Sequence, residues 1–443
     1  MTRTRKTNRS GLLSHAALAG ALAFGIAMAG AIIAPDAAHA AKEPKAPKLK
    51  LSKGFVAAAQ PAQTAVNAVV AGDAATEAAA KAAVDAAIAT VTGPDDKFTA
   101  GTLMLNLGSK AEKAEYQRQG LAMMLESGVD DPATLPKLNG AAGQLAYQAK
   151  DYANAERYLQ AAIDGGNTDP SLKVYLGETY ISNNQVAKGI VIFKAALQQS
   201  KATGKPAPES WYRRSLASAY RAKAVNEAAE FGAMMIQDHP TSTNVGVAVT
   251  IVRELANYGM QDSLDLLRLM GRTKSYAEGR DYIEYIEAAD PRRLPGETLD
   301  VIAAGVASGK LRANDMVVSE SKAQATGRLA ADKASLAGYE ADARKATATE
   351  ITISGAADAL LSYGMAAKAE ELYTLALAKP GVDANRAHTR LGIAQLDQGK
   401  YAEAQASFAK VTGPRIALAK LWAGSAASKA NPPAATPAAA PAP

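Results

Sequence analysis

Apolar residues recur at helical spacing along most of this chain, and no segment alternates between apolar and polar residues long enough to predict a strand. Leu176 and Tyr180 are four positions apart, which places both side chains on one face of a predicted helix. Gly189 and Phe193 have the same spacing on the next predicted helix, a small residue beside a large one. The pattern predicts an all-α chain built from pairs of helices.

The helix pairs repeat at a nearly constant interval. Gly143 lies 34 residues before Gly177, and near the C-terminus Ala369 and Ala404 are 35 residues apart. A single pair cannot bury its apolar stripe, so stacked neighbours must bury it for one another. A period of this length predicts a helix-turn-helix repeat α-solenoid.

The motif of Leu176-Gly177, Tyr180, Gly189 and Phe193 resembles the tetratricopeptide repeat (TPR) family. The family has leucine-glycine, tyrosine, alanine and an aromatic residue at these spacings. Gly189 replaces the alanine here, and the usual first-helix tryptophan is absent. The resemblance implies a TPR-like superhelix whose first helices line a concave groove that binds extended or helical peptides. A generic alanine-rich helical bundle is the alternative.

The N-terminus has the pattern of a secretory signal. A basic region ends at Arg9, an apolar run follows, and Ala38-His39-Ala40 forms a small-x-small cleavage site. We expect a cleavable signal helix, cleavage after Ala40 and export to the periplasm, with an uncleaved membrane anchor as the alternative. No membrane span is expected after cleavage.

Two proline-containing segments near the ends predict disordered tails. The lysines of the N-terminal segment, residues 41–53, either contact anionic lipid headgroups, giving a weak envelope association, or form a solvated spacer. The predicted organisation is a signal peptide 1–40, a Lys/Pro linker 41–54, an N-terminal helical region 55–135, TPR-like repeats 136–240, degenerate helical repeats 241–350, C-terminal TPR-like repeats with a capping helix 351–427, and a Pro/Ala tail 428–443.

Composition narrows the classes of function. Aromatic residues make up only 5% of the chain although 48% of it is hydrophobic, so small residues dominate, which suits close helix packing. The net charge of +6 comes from the N-terminal region, because 40 basic and 41 acidic residues follow from Gly54 onward. No basic field of the kind that binds nucleic acid is therefore expected. The chain has no cysteine and only 4 histidines, which leaves little material for thiol chemistry or histidine-centred metal sites.

The search for catalytic constellations finds little. Asp281, Glu284 and Glu287 have helical spacing, and they are predicted to form a solvated helix face rather than an acid–base pair. Asp95 and Asp96 are predicted to cap a helix rather than to ligate a cation. We expect no cofactor, no metal site and no enzymatic activity.

The groove implied by the TPR resemblance singles out first-helix positions that do not face the core. Tyr147 and Trp211 would supply flat, rigid contact area, and Arg214 and Arg221 would supply forked donors. Alternatively, Trp211 staples the start of its helix and the arginines are solvated. The predicted partner-binding groove consists of Gln144, Tyr147, Glu178, Ile181, Trp211, Arg214, Ser218 and Arg221.

The predicted function is that of an exported scaffold of the cell envelope, which binds protein partners through this groove. Two alternatives remain. One is an envelope- or glycan-modifying enzyme, whose carboxylates would converge from distant helices in a closed pocket. The other is a structural spacer in an envelope or secretion assembly.

Overall fold

The structure is a computed structural model that describes residues 49–129, 132–202 and 204–432. The predicted signal peptide, most of the Lys/Pro linker and most of the Pro/Ala tail lie outside these residues. Within them the chain is all-α, without a strand. The helices are α1 (Lys53–Asn67), α2 (Ala74–Ile88), α3 (Pro94–Lys110), α4 (Ala114–Glu126), α5 (Leu135–Gln148), α6 (Tyr152–Asp164), α7 (Ser171–Ser182), α8 (Val186–Ala202), α9 (Glu209–Arg221), α10 (Val225–Asp238), α11 (Ser242–Ala256), α12 (Met260–Thr273), α13 (Gly279–Ala289), α14 (Pro295–Ala307), α15 (Met316–Ala343), α16 (Glu350–Ser362), α17 (Ala366–Leu377), α18 (Ala384–Asp397), α19 (Tyr401–Phe408) and α20 (Ile416–Ala430).

The helices group into two compact units. Unit 1 ends at Leu172 and unit 2 begins at Lys173. In the described part of the chain, no helix is long and apolar enough to cross a membrane.

A glycine opposite a large side chain sets the close approach within three helix pairs. The glycine lies on the first helix, and the large residue follows sixteen positions later on the second. A Cβ on any of these glycines would lie 2.5–3.0 Å from that side chain, so only glycine fits without a shift. This packing confirms the predicted helix-pair repeats. The pairs are Gly143 with Leu159, Gly177 with Phe193, and Gly392 with Phe408.

The described part of unit 1 begins with a segment that is bound to α3. The backbone amides of Lys50 and Ser52 donate to Asp95 and Asp96, at 2.6 and 2.9 Å. Asp96 is buried and also accepts from Thr92. The described end of the predicted linker 41–54 is therefore bound to α3, and α1 starts at Lys53. The predicted capping role is wrong, because Gly93 is the N-cap of α3 and no described side chain caps this helix; Asp95 and Asp96 lie in its first turn and bind the segment that precedes α1.

Unit 2 closes on itself through its last helix. α20 packs against α19, its neighbour in sequence, and also against α10, far from it in sequence. At this seam a Cβ on Gly424 would lie 2.5 Å from the Ala233 carbonyl oxygen, and one on Gly232 would lie 3.0 Å from Leu421. Glycine therefore allows two helix backbones to meet. The helices α10 to α20 form a closed circuit around one hydrophobic core.

α15 interrupts the regular pairing. It has 28 residues, and Val318, Ala325, Leu336 and Ala343 are its only buried positions. The segment 241–350 was predicted as degenerate repeat pairs, and the structure places one long helix in its last part. At the C-terminus α20 extends to Ala430, three residues into the range predicted as a tail.

Candidate functional site

Two predicted groove residues belong to α5 of unit 1. Gln144 and Tyr147 are both half-buried. The ring of Tyr147 lies against that of Tyr152 on α6, with ring centroids 6.1 Å apart. Both residues remain predicted contact positions.

The α7 residues of the predicted groove are buried in unit 2. Glu178 and Ile181 are only 5% and 8% exposed. The Arg214 guanidinium of α9 binds both carboxylate oxygens of Glu178, with its Nε 2.9 Å from Oε1. The same guanidinium lies over the Tyr175 ring, 4.4 Å from its centroid. Arg214 and Glu178 therefore hold α7 to α9, a role that the groove prediction did not assign to them.

The most accessible residue of the predicted site, Arg221, is on α9. Trp211 is half-buried and packs against the core of unit 2, whereas Ala217 and Arg221 are exposed and four positions apart. Ser218 is fully buried and accepts a hydrogen bond from Arg221 Nη2 at 3.1 Å. We call Trp211, Ala217 and Arg221 the α9 face. It offers a half-buried aromatic ring, an exposed alanine and one guanidinium whose described contact is a neutral hydroxyl.

Further polar bonds link the first helices of successive pairs. The Tyr220 hydroxyl donates to Glu254 at 2.5 Å, and Arg213 donates to Asn244 at 2.6 Å. The partners are about one repeat apart in sequence, so these bonds fix the stacking of one pair on the next. Glu284, predicted as part of a solvated face, is instead clamped between two arginines of α11 and α13, Arg253 and Arg280.

The most densely charged part of unit 2 is a buried network around Asp265 on α12. This carboxylate is fully buried and accepts from three guanidinium groups. Arg268 comes from the same helix, Arg390 from α18, and Arg415 from the turn before α20. The Asp265 carbonyl oxygen accepts a hydrogen bond from Trp422 Nε1 at 3.0 Å. A single residue thus joins three distant parts of the closed circuit.

The other buried carboxylates of the network are also paired with arginine. Arg268 binds Glu297 on α14 through two bonds of 2.7 Å, and Arg390 Nη1 donates to Asp358 on α16 at 2.6 Å. Two tyrosine hydroxyls also donate hydrogen bonds to these carboxylates, Tyr285 to Glu297 and Tyr373 to Asp358. The network therefore joins α12, α14, α16, α18 and α20.

The electrostatics of the network oppose acid catalysis. Burial alone would raise the pKa of Asp265, but Arg390, Arg415 and Arg268 together lower that pKa to about 2. The pKa values of Glu297 and Asp358 are lowered for the same reason, burial being outweighed by Arg268 and Arg390 respectively. A general acid near neutral pH needs a raised pKa. These carboxylates act instead as fixed anions.

The remaining sequence candidates have structural roles or stay at the surface. Asp281 completes a capping box at the start of α13, and Glu287 is exposed. Among the described residues, no group of three or more histidine or acidic side chains could hold a metal ion. Sequence inspection missed the network, although Asp265 and Arg268 stand out as charged residues within an apolar helix.

The network gives a pH dependence to the stability of unit 2. Asp265 has a pKa of about 2 in the folded chain and about 4 when unfolded. Between these two pH values the unfolded state binds more protons than the folded state. The stabilisation that ionised Asp265 gives to the folded state is therefore complete above about pH 4, and it is lost as the pH falls toward 2. We expect urea midpoints to stay level from pH 6 to about 4 and then to fall. A midpoint that already drops between about pH 6 and 5 would contradict this assignment.

Arg214 is expected to stabilise the chain. Arg214→Ala leaves the Glu178 carboxylate buried without its partner, and we expect a loss of about 1–3 kcal/mol in the free energy of unfolding. Because the Arg214 side chain is 28% exposed, the lower half of this range is favoured. The double variant Arg214→Met/Glu178→Leu removes both charges and should recover most of the loss, as measured by urea denaturation. Equal losses in the single and double variants would show that the ion pair is not the cause.

Comparisons with known proteins identify no family. No family model matches the chain, and no curated protein matches it. Three solved IFIT1 structures align with it: a monomeric mutant with Gppp-AAAA, another monomeric mutant with m7Gppp-AAAA, and the human dimer with PPP-AAAA. Their sequence identities are 16%, 15% and 15%, and their TM-scores are 0.25, 0.25 and 0.26. The alignments cover 76%, 75% and 77% of this chain and 66%, 76% and 79% of the IFIT1 chains. This chain therefore spans slightly less than two thirds of the length of the first IFIT1 chain. With such TM-scores, the fold assignment rests on the helices themselves.

Proposed function

We propose that this chain is an exported, non-enzymatic TPR-type scaffold that binds a segment of a protein partner on the α9 face. The observation that carries the proposal is that one helix, α9, presents the half-buried Trp211 together with the exposed Ala217 and Arg221. Aromatic and arginine side chains dominate the energetics of protein interfaces, because they combine contact area with directional donors. The secretory signal pattern supports a place in the periplasm.

The TPR assignment is supported by the constant spacing between a glycine and a large apolar side chain in the helix pairs. A non-enzymatic role is supported by the chemistry of the network, whose buried carboxylates are ion-paired and have lowered pKa values. A scaffold needs no general acid with a raised pKa, because its affinity comes from several weak contacts along a partner segment.

The proposal is tested by site-specific crosslinking. A photoreactive phenylalanine analogue placed at Ala217 should capture a discrete protein from the cell envelope. The same analogue at Gly338, an exposed position on α15, serves as the control. Capture at position 217 should weaken at least about tenfold in Trp211→Ala/Arg221→Ala, the loss expected when two contacts of about 1 kcal/mol or more are removed.

The matched control variant is Tyr339→Ala/Arg328→Ala, which removes an exposed aromatic and an exposed arginine from α15. Arg214 is left intact in both variants because it balances the buried Glu178. Equal capture in all variants, or no capture at position 217, would refute the α9 face as a binding site. The spacer interpretation would then be the better one.

A further inference from the structure

The near-neutral charge of the chain from Gly54 onward hides an uneven distribution. From Gly54 to Leu172 there are 8 basic and 14 acidic residues, whereas from Lys173 to Pro443 there are 32 basic and 27 acidic residues. Unit 2 therefore has an excess of basic residues, which the balanced total from Gly54 onward conceals. Its location on the surface decides what it can attract.

Four connections of unit 2 lie along one edge. They follow α8, α10, α12 and α14, and each joins the second helix of one pair to the first helix of the next. Because the pairs stack in order, these connections come side by side, and we call residues 204–208, 239–241, 274–278 and 308–315 the loop edge. Successive connections contact each other through His239 with Ala207 and through Lys310 with Tyr276. Between these two contacts, Ser275 lies against Gly246, which is in α11 directly after the connection 239–241.

The loop edge presents four exposed cations: Lys205, Lys274, Lys310 and Arg312. Lys310 donates to the Tyr276 carbonyl oxygen, which holds its ammonium group at the edge. The other three form no ion pair and no side-chain hydrogen bond with any described residue. With about 10 Å between packed helices, the edge extends over tens of ångströms.

The acidic residues of the edge are already engaged. Glu278 takes part in the capping box at the start of α13. Asp315 caps α15 and accepts from the Val317 amide at 3.0 Å. Both carboxylates therefore serve backbone amides, and they compensate the cations only in part.

Helix capping does not account for all the cations. A basic residue near the C-terminus of a helix stabilises the helix dipole, but this effect falls off beyond the last turn. Arg312 follows the last residue of α14 by five positions, and Lys205 follows that of α8 by three. Their side chains are free to meet an external anion.

We propose that the loop edge binds anionic lipid headgroups and holds unit 2 at a negatively charged membrane surface. The cations are spread along an edge instead of converging on a pocket, which suits a layer of phosphates better than a single bound anion. Near such a surface each lysine or arginine strengthens binding roughly fivefold. The inference is independent of the α9 face, because the two surfaces share no residue.

The test is cosedimentation of the chain from Ala41 onward with lipid vesicles at about 0.1 M salt. Vesicles containing phosphatidylglycerol are compared with vesicles of neutral phosphatidylcholine. The wild type should bind the anionic vesicles preferentially and lose binding as salt rises. The variant Lys205→Glu/Lys274→Glu/Arg312→Glu should bind about 100-fold more weakly, the product of three fivefold effects.

The control is Lys223→Glu/Arg292→Glu/Arg328→Glu, which makes the same change in charge at exposed positions away from the loop edge. It should stay within about threefold of the wild type, because distant charges are screened. Equal losses in the two variants would show that net charge alone drives binding, and the proposal would fail. The proposal would also fail if the wild-type protein did not bind anionic vesicles, or if the wild-type protein bound a single-stranded oligonucleotide and not the vesicles.

Discussion

Replacing Asp265 with alanine should lower the free energy of unfolding of unit 2 by about 3–5 kcal/mol. The substitution leaves Arg268, Arg390 and Arg415 buried with one carboxylate fewer among them. Each guanidinium keeps another partner, but the positive charge that Asp265 neutralised remains in a region of low dielectric. Urea denaturation followed by circular dichroism measures the loss directly.

Glu287→Ala is the matched control, because it removes an exposed carboxylate from the neighbouring helix α13. We expect it to change stability by no more than about 0.5 kcal/mol. If Asp265→Ala costs less than about 1 kcal/mol, the network does not stabilise the closed circuit.

Trp422→Ala should lower the free energy of unfolding of unit 2 by roughly 3–5 kcal/mol, about as much as Asp265→Ala. Trp422 is fully buried, it stacks on Phe408 at a centroid distance of 6.0 Å, and its indole lies under the Arg272 guanidinium. Removing the indole leaves a cavity where α20 meets α12 and α19, and the donor to the Asp265 carbonyl oxygen is lost as well. Hydrogen exchange should show reduced protection in α10 and in α18–α20 together, because α20 packs between them.

The second tryptophan provides the comparison. Trp211 is only half-buried, so Trp211→Ala should cost clearly less than Trp422→Ala. Faster exchange limited to α19 and α20 would contradict the closed circuit, since α10 would then be independent of the last helix.

The helix pairs could be predicted from the sequence because they depend on local spacing. Gly177 and Phe193 are sixteen residues apart, and a repeat period places them on facing helices without any knowledge of the rest of the chain. The predicted groove positions on α7 and α9 followed from the same register. Their burial did not, because whether Glu178 is accessible depends on Arg214, one repeat later.

The closure of unit 2 could not be predicted in this way. Asp265 and Arg390 are 125 positions apart, and many surface arginines could equally have been their partners. The sequence does signal that a buried charge needs a partner, because Asp265 and Arg268 interrupt the apolar run of α12. It does not specify which cation supplies that partner, since this depends on the cumulative rotation of all the intervening helices.

The seam between α10 and α20 also limits how this protein could have changed in length. An open stack of repeats gains or loses a unit by duplication or deletion, since each repeat contacts only its neighbours. In unit 2 an added pair between α10 and α20 would separate Gly424 from Ala233 and Arg415 from Asp265. The number of helices in the circuit is thus fixed by the geometry of its closure, and new repeats are tolerated only outside it.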